Sequence, residues 1–145
     1  MSACIIEYHN FGNKSLTGFE KSASPALGEV RSIMQRIYEE DPSYWPYGLD
    51  VPGHESVYLI RDAMTKAAAG FVGWQEMYEG FKKIGSYSIG ILPEYRNKGF
   101  AKEAVAKILM EKSAGVDEVR SFICDWNDKS KGLANSLGIK IQTKF

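Results

Sequence analysis

Cysteine is scarce in this chain. Two cysteines, Cys4 and Cys124, occur in 145 residues, too few for a disulfide framework. Each sits inside an apolar run, where a reduced, buried thiol is the expected state, and a reducing cytoplasm is the compartment that suits both. An excess of either charge is also missing. Eighteen Lys plus Arg stand against 18 Asp plus Glu, giving a formal net charge of zero. A nucleic-acid binder or an anionic-membrane binder needs a basic excess, so neither partner is expected beyond a local basic patch. Long hydrophobic runs are absent too. The longest, Ala67 to Trp74, is far too short to span a bilayer. The first residues lack a basic segment followed by a long apolar run, so no secretory signal is expected. Internal repeats, low-complexity tracts and linkers are likewise not visible, and no metal site is expected. Residues 1–145 therefore read as a single domain with one core. The 44% hydrophobic and 25% charged fractions are those of an ordinary globular protein.

The order of elements can be read from periodicity and punctuation. Ala3 to Tyr8 reads as a short isoleucine-rich strand, and Asn10 to Ala23 as a loop. Ser24-Pro25 opens a helix, with Ser as N-cap and Pro preorganised for the first turn. Leu27, Val30, Met34, Ile37 and Tyr38 give that helix one apolar face, and Asp41-Pro42 stops it. Ser43 to Gly53 is irregular and aromatic-rich, with Tyr44, Trp45 and Tyr47 beside Pro46 and Pro52. Strands are expected at Val57 to Arg61, Gly70 to Met77 and Gly85 to Leu92, the first two joined by a turn over Asp62 to Ala68. After the loop Glu94 to Lys98, a long helix runs from Gly99 to about Ala114. Ala101, Ala104, Val105, Ile108 and Leu109 lie on one face of it, and Gly115 is the expected C′ residue. Val119 to Cys124 is the next strand. Asn127-Asp128 caps a short helix carrying Leu133, Ala134 and Leu137, closed by Gly138. Ile139, Ile141, Thr143 and Phe145 alternate as a last strand. This order implies an α/β (α+β) fold, a mixed sheet with helices on both faces.

The most informative stretch runs from Ser88 to Ala101, a strand that passes through a glycine-containing loop into the start of a long helix. The first turn of a helix leaves backbone N–H groups unpaired, and its dipole favours negative charge. A glycine there lets a bulky anion approach the backbone, and Arg96 and Lys98 add positive charge. Together these make a phosphate or pyrophosphate site. The pattern Arg-x-x-Gly-x-Ala alone would occur by chance in roughly one chain in ten of this size, and an eased strand-to-helix turn is its bland reading.

The longer run Ile-Leu-Pro-Glu-Tyr-Arg-Asn-Lys-Gly-Phe-Ala, from Ile91 to Ala101, resembles the acetyl-CoA-binding motif of the GNAT superfamily of N-acetyltransferases. Arg96, Gly99 and Ala101 occupy the positions of that family's Gln/Arg-x-x-Gly-x-Gly/Ala signature. Asn127, Ser130, Leu133, Leu137, Gly138 and Ile139 fall at the spacings of a second family pattern. The resemblance implies a GNAT-like, mixed and mostly antiparallel central sheet with helices on both faces. It implies acetyl-CoA as acyl donor, an amine as acceptor, and no metal. Carried over residue by residue, backbone N–H groups of Arg96, Asn97, Lys98, Gly99, Phe100 and Ala101 would hold the pyrophosphate. The strand backbone around Ile89 and Ile91 would pair with the pantetheine arm, and Asn127 would hydrogen-bond the pantetheine or lie near the thioester. Lys131 could touch the cofactor, although a solvated lysine is the simpler reading.

The implied chemistry is attack of a neutral amine on the thioester carbonyl, helped by approximation of the two substrates, by a strand N–H near Ile91 facing the oxyanion, and by a base. Three departures from the family pattern stand out. Ala134 occupies the place where many members carry a thiolate-protonating tyrosine. Gly85-Ser86-Tyr87-Ser88 lacks the glutamate that some members carry early in this strand. The chain ends at Phe145, one strand after the short helix where the family has two. That would leave an open sheet edge, to be covered by a partner subunit, as in a homodimer, or by further chain. Glu76 is the first candidate base, with an ordinary exposed carboxylate as the bland reading. Asp125, His54 and Glu55 are weaker candidates. Trp74 and Trp126 are expected to pack against the sheet. The alternative to an enzyme is a CoA-binding domain without catalysis, serving as an interaction module.

Overall fold

Alternation along the strands sorts the side chains into two cores. The computed structural model describes residues 3–10, 25–40, 56–124 and 128–144. Its strands are β1 (Cys4–Asn10), β2 (Ser56–Asp62), β3 (Ala68–Glu79), β4 (Lys82–Ile91), β5 (Glu118–Cys124) and β6 (Lys140–Lys144). Its helices are α1 (Pro25–Glu40), α2 (Phe100–Lys112) and α3 (Asp128–Ser136), with short 3-10 turns at Pro93–Tyr95 and Ser113–Gly115. The strands form one sheet in the order β1-β2-β3-β4-β5-β6. The pairings β1–β2, β2–β3 and β3–β4 are antiparallel, whereas β4–β5 and β5–β6 are parallel. The sheet is therefore mixed and mostly antiparallel, as expected.

On β2, Val57 and Leu59 face one way, and Tyr58 and Ile60 the other. Val57, Leu59 and Phe71 pack with Val30, Ile33, Met34 and Ile37 of α1. Tyr58, Ile60, Val72, Trp74 and Tyr87 pack with Phe100, Ala104, Val105 and Ile108 of α2 and with Ala134 of α3. Helices thus cover both faces, α1 on one and α2 with α3 on the other. Each fully buried aliphatic side chain in these clusters stabilises the fold by about 1.5–3 kcal/mol. The α1 helix presses so closely on β4 that a Cβ at Gly90 would come within 2.7 Å of Ile37 Cδ1. Cys4 is buried and free, with its thiol donating to the Glu103 carboxylate. Burial, and then that carboxylate, push it up to about 12, so it stays a reduced, inert thiol.

The expected element boundaries hold with small extensions. Between β2 and β3, the Asp62 carboxylate accepts the N–H groups of Met64 at 2.8 Å and Thr65 at 3.0 Å. That tight turn holds the hairpin closed. Trp74 packs in the sheet, 3% exposed. Gly138 ends α3 with φ of 70°. Gly115 differs from its expected C′ role. The α2 helix ends at Lys112 and tightens into a 3-10 turn, closed by Val116 N–H to Ser113 O at 3.3 Å. Gly115 has no positive φ there, because a tightened last turn satisfies the terminal carbonyls without a left-handed residue. The aromatic-rich stretch 43–53 and the loop 11–23 lie outside the described residues, as does the side chain of Cys124.

Candidate active site

The end of β4 feeds directly into the start of α2. Pro93–Tyr95 forms a single 3-10 turn. It is held by Tyr95 N–H to Leu92 O at 2.9 Å and Arg96 N–H to Pro93 O at 3.3 Å. The chain then reverses through two left-handed residues, Asn97 with φ of 63° and Gly99 with φ of 80°. Gly99 is the N-cap of α2 and, having no side chain, contributes no cap. The first bond into the helix is Glu103 N–H to Gly99 O at 3.1 Å. The N–H groups of Phe100, Ala101 and Lys102 precede it and have no intrahelical acceptor. Nothing lies within 4 Å of where a Gly99 Cβ would sit, so this end of the helix faces open space. Phe100 anchors the turn from below. It is 3% exposed, and its ring stacks on Tyr95 with centroids 6.1 Å apart. Lys98 holds its ammonium 5.8 Å from the Tyr95 ring centroid. The result is a helix start with free N–H donors, its dipole and the Lys98 ammonium nearby, an arrangement chemically suited to an anion.

Arg96 takes a different role from that of a phosphate clamp. Its Nε donates to Ile91 O at 3.0 Å, and its Nη1 pairs with Glu40 at 2.7 Å. The guanidinium therefore ties the loop to the end of β4 and to the C-terminal turn of α1. Its own N–H is engaged in the 3-10 turn, so the backbone donors available to an anion start after it.

Beside this loop the sheet forks. The ladder between β4 and β5 consists of two residue pairs, Ile84 with Glu118 and Gly85 with Val119. Asp117 braces its base, donating its N–H to Lys83 O at 2.8 Å and accepting Lys83 N–H at 2.8 Å. Beyond Gly85 the edge of β4 that faces β5 has no strand partner among the described residues. That edge runs through Tyr87, Ile89 and Ile91 up to the α2 N-terminus. A free strand edge leading to an anion site is the geometry that accepts an extended, amide-bearing chain with a phosphate at one end. The expected residues Ile89, Ile91, Asn97, Lys98, Gly99, Phe100 and Ala101 all lie along this path.

The sequence model of the acetyltransferase (GNAT) domain matches residues 7–140. The chain belongs to the GNAT acetyltransferases. Solved structures agree on the fold. Aminoglycoside N-acetyltransferase AAC(6')-Iy, in complex with a bisubstrate analogue of CoA and acetylneamine, superposes with a TM-score of 0.65 at 19% identity, over 99% of this chain and 95% of its own. An aminoglycoside acetyltransferase from an uncultured soil metagenomic sample, in complex with sisomicin, gives 0.64 at 12% identity, over 99% and 92%. A Trypanosoma brucei acetyltransferase gives 0.57 at 12% identity, over 97% and 96%. No curated protein matches the chain.

Within this GNAT domain, Glu76 sits on β3 opposite Gly85 of β4, at the apex of the fork. Both its oxygens are occupied. Oε2 accepts Trp74 Nε1–H at 3.0 Å, and Oε1 pairs with Lys83 Nζ at 3.1 Å. The indole bond, and then the lysine, hold the carboxyl below its ordinary range against the opposing effect of burial. Glu76 is therefore ionised throughout the neutral range. Gly85 makes this arrangement possible, because a Cβ there would lie 2.2 Å from Trp74 Cζ2.

Asn127, Asp125, Trp126, His54 and Glu55 lie outside the described residues. Ala134 is buried with no exposure, packed in the α2-side core, and offers no proton donor. Tyr87 is 9% exposed and stands on the unpaired edge of β4. The described residues hold no group of three or more His, Cys, Asp or Glu suited to a metal ion. None of their helices is long and apolar enough to cross a membrane.

Proposed function

We propose that this single-domain GNAT protein transfers the acetyl group of acetyl-CoA to a primary amine of a small molecule, a peptide or a protein. The observation that carries the reading is the continuity of an uncapped helix N-terminus with a free strand edge. The N–H groups from Asn97 to Ala101 would hold the pyrophosphate, with the N–H of Lys102 adjoining them. The Ile89 and Ile91 backbone would pair with the pantetheine amides, and Asn127 would lie near the thioester. Lys98 adds charge at the phosphate end. The fit is supported by the open space at Gly99 and by the partnerless edge of β4. CoA-derived ligands occupy related folds such as AAC(6')-Iy.

The reaction itself is acyl transfer by approximation. The amine nitrogen bonds to the thioester carbon, the C–S bond breaks, and sulfur takes its electron pair. The strand N–H near Ile91 is the proposed donor to the developing oxyanion. Glu76 is the proposed base. Its ionised carboxylate can take the amine proton through water, although its partners make it a weak acceptor. An amine-rich acceptor of the aminoglycoside class is one member of the panel to test, because acetyltransferases of similar fold have been solved with such compounds bound. A reduced, cytoplasmic protein fits the buried Cys4 thiol. A second subunit covering β1 or β6, the outer strands of the sheet, is the proposed assembly.

A second reading, a CoA-binding module with weak or no catalysis, is favoured by one observation. The helix position that would carry an acid is the buried Ala134. Calorimetric CoA binding, together with thiol release from acetyl-CoA across a panel of amines, separates the two. Binding with turnover on any amine establishes the enzyme. Binding with no turnover on any amine favours the module, and no binding removes both.

A further inference from the structure

Arg120 of β5 is a buried charge. Its side chain is 7% exposed, and its Nε–H has no acceptor among the described residues. A guanidinium taken out of water with one donor left over is costly. Such a group adds little net stability, and its best-attested use is to fix one geometry. Val119 and Ile141 point to the α2 and α3 side of the sheet, so Glu118, Arg120 and Lys140 point to the other. Ile84 pairs with Glu118, and Glu79 with Lys82, which puts Glu79 and Lys82 at the end of the β3–β4 hairpin on that same face. There Arg120 is the first residue of β5 beyond the two-pair ladder with β4. Its guanidinium folds back across that ladder instead of following the strand into the fork. Nη1 donates to Glu79 Oε2, on the far side of β4, at 3.0 Å. It also donates to Gln142 Oε1 of β6 at 3.0 Å, and Nη2 donates to Glu118. Glu118 in turn meets Lys82 Nζ of β4 at 3.5 Å and Lys140 Nζ of β6 at 3.3 Å. Arg120 is the first cause that holds the Glu79 and Glu118 carboxyls below their ordinary range, so these pairs stay charged at neutral pH.

Two strands joined over two residue pairs can swing about that joint. A tie across the joint with partners on both sides limits the swing. Arg120 crosses it to Glu79, and Lys82 crosses it to Glu118. The other partners of Arg120 lie on β5 and β6, so the guanidinium straps that strand pair to the end of the β3–β4 hairpin. A planar set of donors suits the task, because it holds several acceptors in fixed directions where an ammonium acts as a point charge. We infer that Arg120 is a positioning residue, whose strap to Glu79 sets how far the β4–β5 fork opens and so holds the free edge of β4 ready for an extended ligand. The identity of that ligand rests on the acetyl-CoA reading; the strap itself does not.

The test is Arg120→Met, which keeps an unbranched side chain to pack against the sheet. It strands no buried charge, since Glu118 retains Lys82 and Lys140 and the Glu79 side chain is 64% exposed. The unfolding midpoint should be unchanged or raised. Amide hydrogen exchange over Glu118 to Ser121 in the free protein should quicken by about tenfold or more, with exchange in β2 unchanged. Calorimetric CoA affinity should fall about tenfold, as when only about a tenth of the molecules hold the competent fork. Glu79→Gln should produce the same two changes in smaller measure. The double variant should lose no more than Arg120→Met alone, because one strap is cut twice. Arg120→Lys should restore only part of the affinity. If Arg120→Met does not fold, Glu79→Gln decides, since loss of an exposed carboxylate leaves folding intact. A lowered midpoint with unchanged CoA affinity overturns the inference, because Arg120 would then serve the fold alone. Unchanged exchange over Glu118 to Ser121 overturns it too. Quickened exchange with equal CoA affinity in parent and variant also overturns it, and leaves the acetyl-CoA reading standing. Absence of CoA binding in the unaltered protein removes that reading, and the exchange rates then decide the strap by themselves.

Discussion

Arg96 donates from Nε to the carbonyl of Ile91 at 3.0 Å, so the first residue of the loop signature clamps the strand that precedes the loop. Glu40 completes the clamp from α1 at 2.7 Å. Arg96→Ala should therefore lower unfolding stability by about 1–2 kcal/mol, measured by urea titration, and weaken CoA binding by loosening the loop. Glu40→Ala should reproduce the smaller part of the stability loss. Equal stability of Arg96→Ala and the parent would show that the clamp contributes nothing.

Gly99 separates backbone strain from charge. Its φ of 80° disfavours any side chain, while the space around it is open. Gly99→Ala should destabilise by about 1 kcal/mol through strain alone. Gly99→Asn should cost less, because Asn tolerates the left-handed region. Gly99→Asp should weaken CoA binding at least about tenfold more than Gly99→Asn does, since a carboxylate faces the pyrophosphate. Similar CoA affinities of the Asp and Asn variants, by calorimetry, would remove the loop as the phosphate site.

Gly85 should tolerate no side chain. A Cβ would lie 2.2 and 2.4 Å from Trp74 Cζ2 and Cη2, so Gly85→Ala must displace the indole. A loss of roughly 1–3 kcal/mol is expected, with a changed Trp74 emission as its hydrogen bond to Glu76 breaks. In that variant the Glu76 carboxyl should rise toward its ordinary value. Unchanged fluorescence and stability would mean that the strand yields instead of the ring.

Acid should destabilise the fold over a defined window. Glu7 is held below the ordinary 4.5, first by its bond to Arg61, and Glu76 is held below it first by the Trp74 indole. A depressed carboxyl contributes stability above its unfolded pKa and loses it as pH falls through the folded one. The unfolding midpoint should thus be flat from about pH 7 to 5 and drop below about 4.5. Glu7→Gln and Glu76→Gln should each start lower at neutral pH and fall less steeply in acid. Parallel curves for parent and variants would contradict the pairing.

Local signals were legible and distant ones were not. Ser24-Pro25 and Asp41-Pro42 bracket a helix observed at Pro25–Glu40, because caps and prolines act within a turn. Gly138 could be placed by the same short-range chemistry. The strand-to-helix loop with its left-handed Gly99 was legible for that reason too, since strand, glycine and helix start are close in sequence. The partners of Arg96 were not legible, because Glu40 lies 56 positions away and only the packing of α1 on β4 brings it near. Neither was the reason for Gly85, which is the ring of Trp74 across a hairpin. Gly115 misled because its identity suggests a left-handed cap, whereas the helix end tightened instead.

The short β4–β5 ladder has one more consequence. Four strands with α1 and α2 form one leaf of the molecule. Strands β5 and β6 with α3 form another, and two ladder pairs with the Asp117–Lys83 bonds are the backbone stitching between them. On the proposed reading, a donor laid along the free edge of β4 would add stitches to that seam and would be, for as long as it stayed, a strand of the sheet. Emptying the seam after turnover would then mean unstitching part of the protein as well as releasing a product.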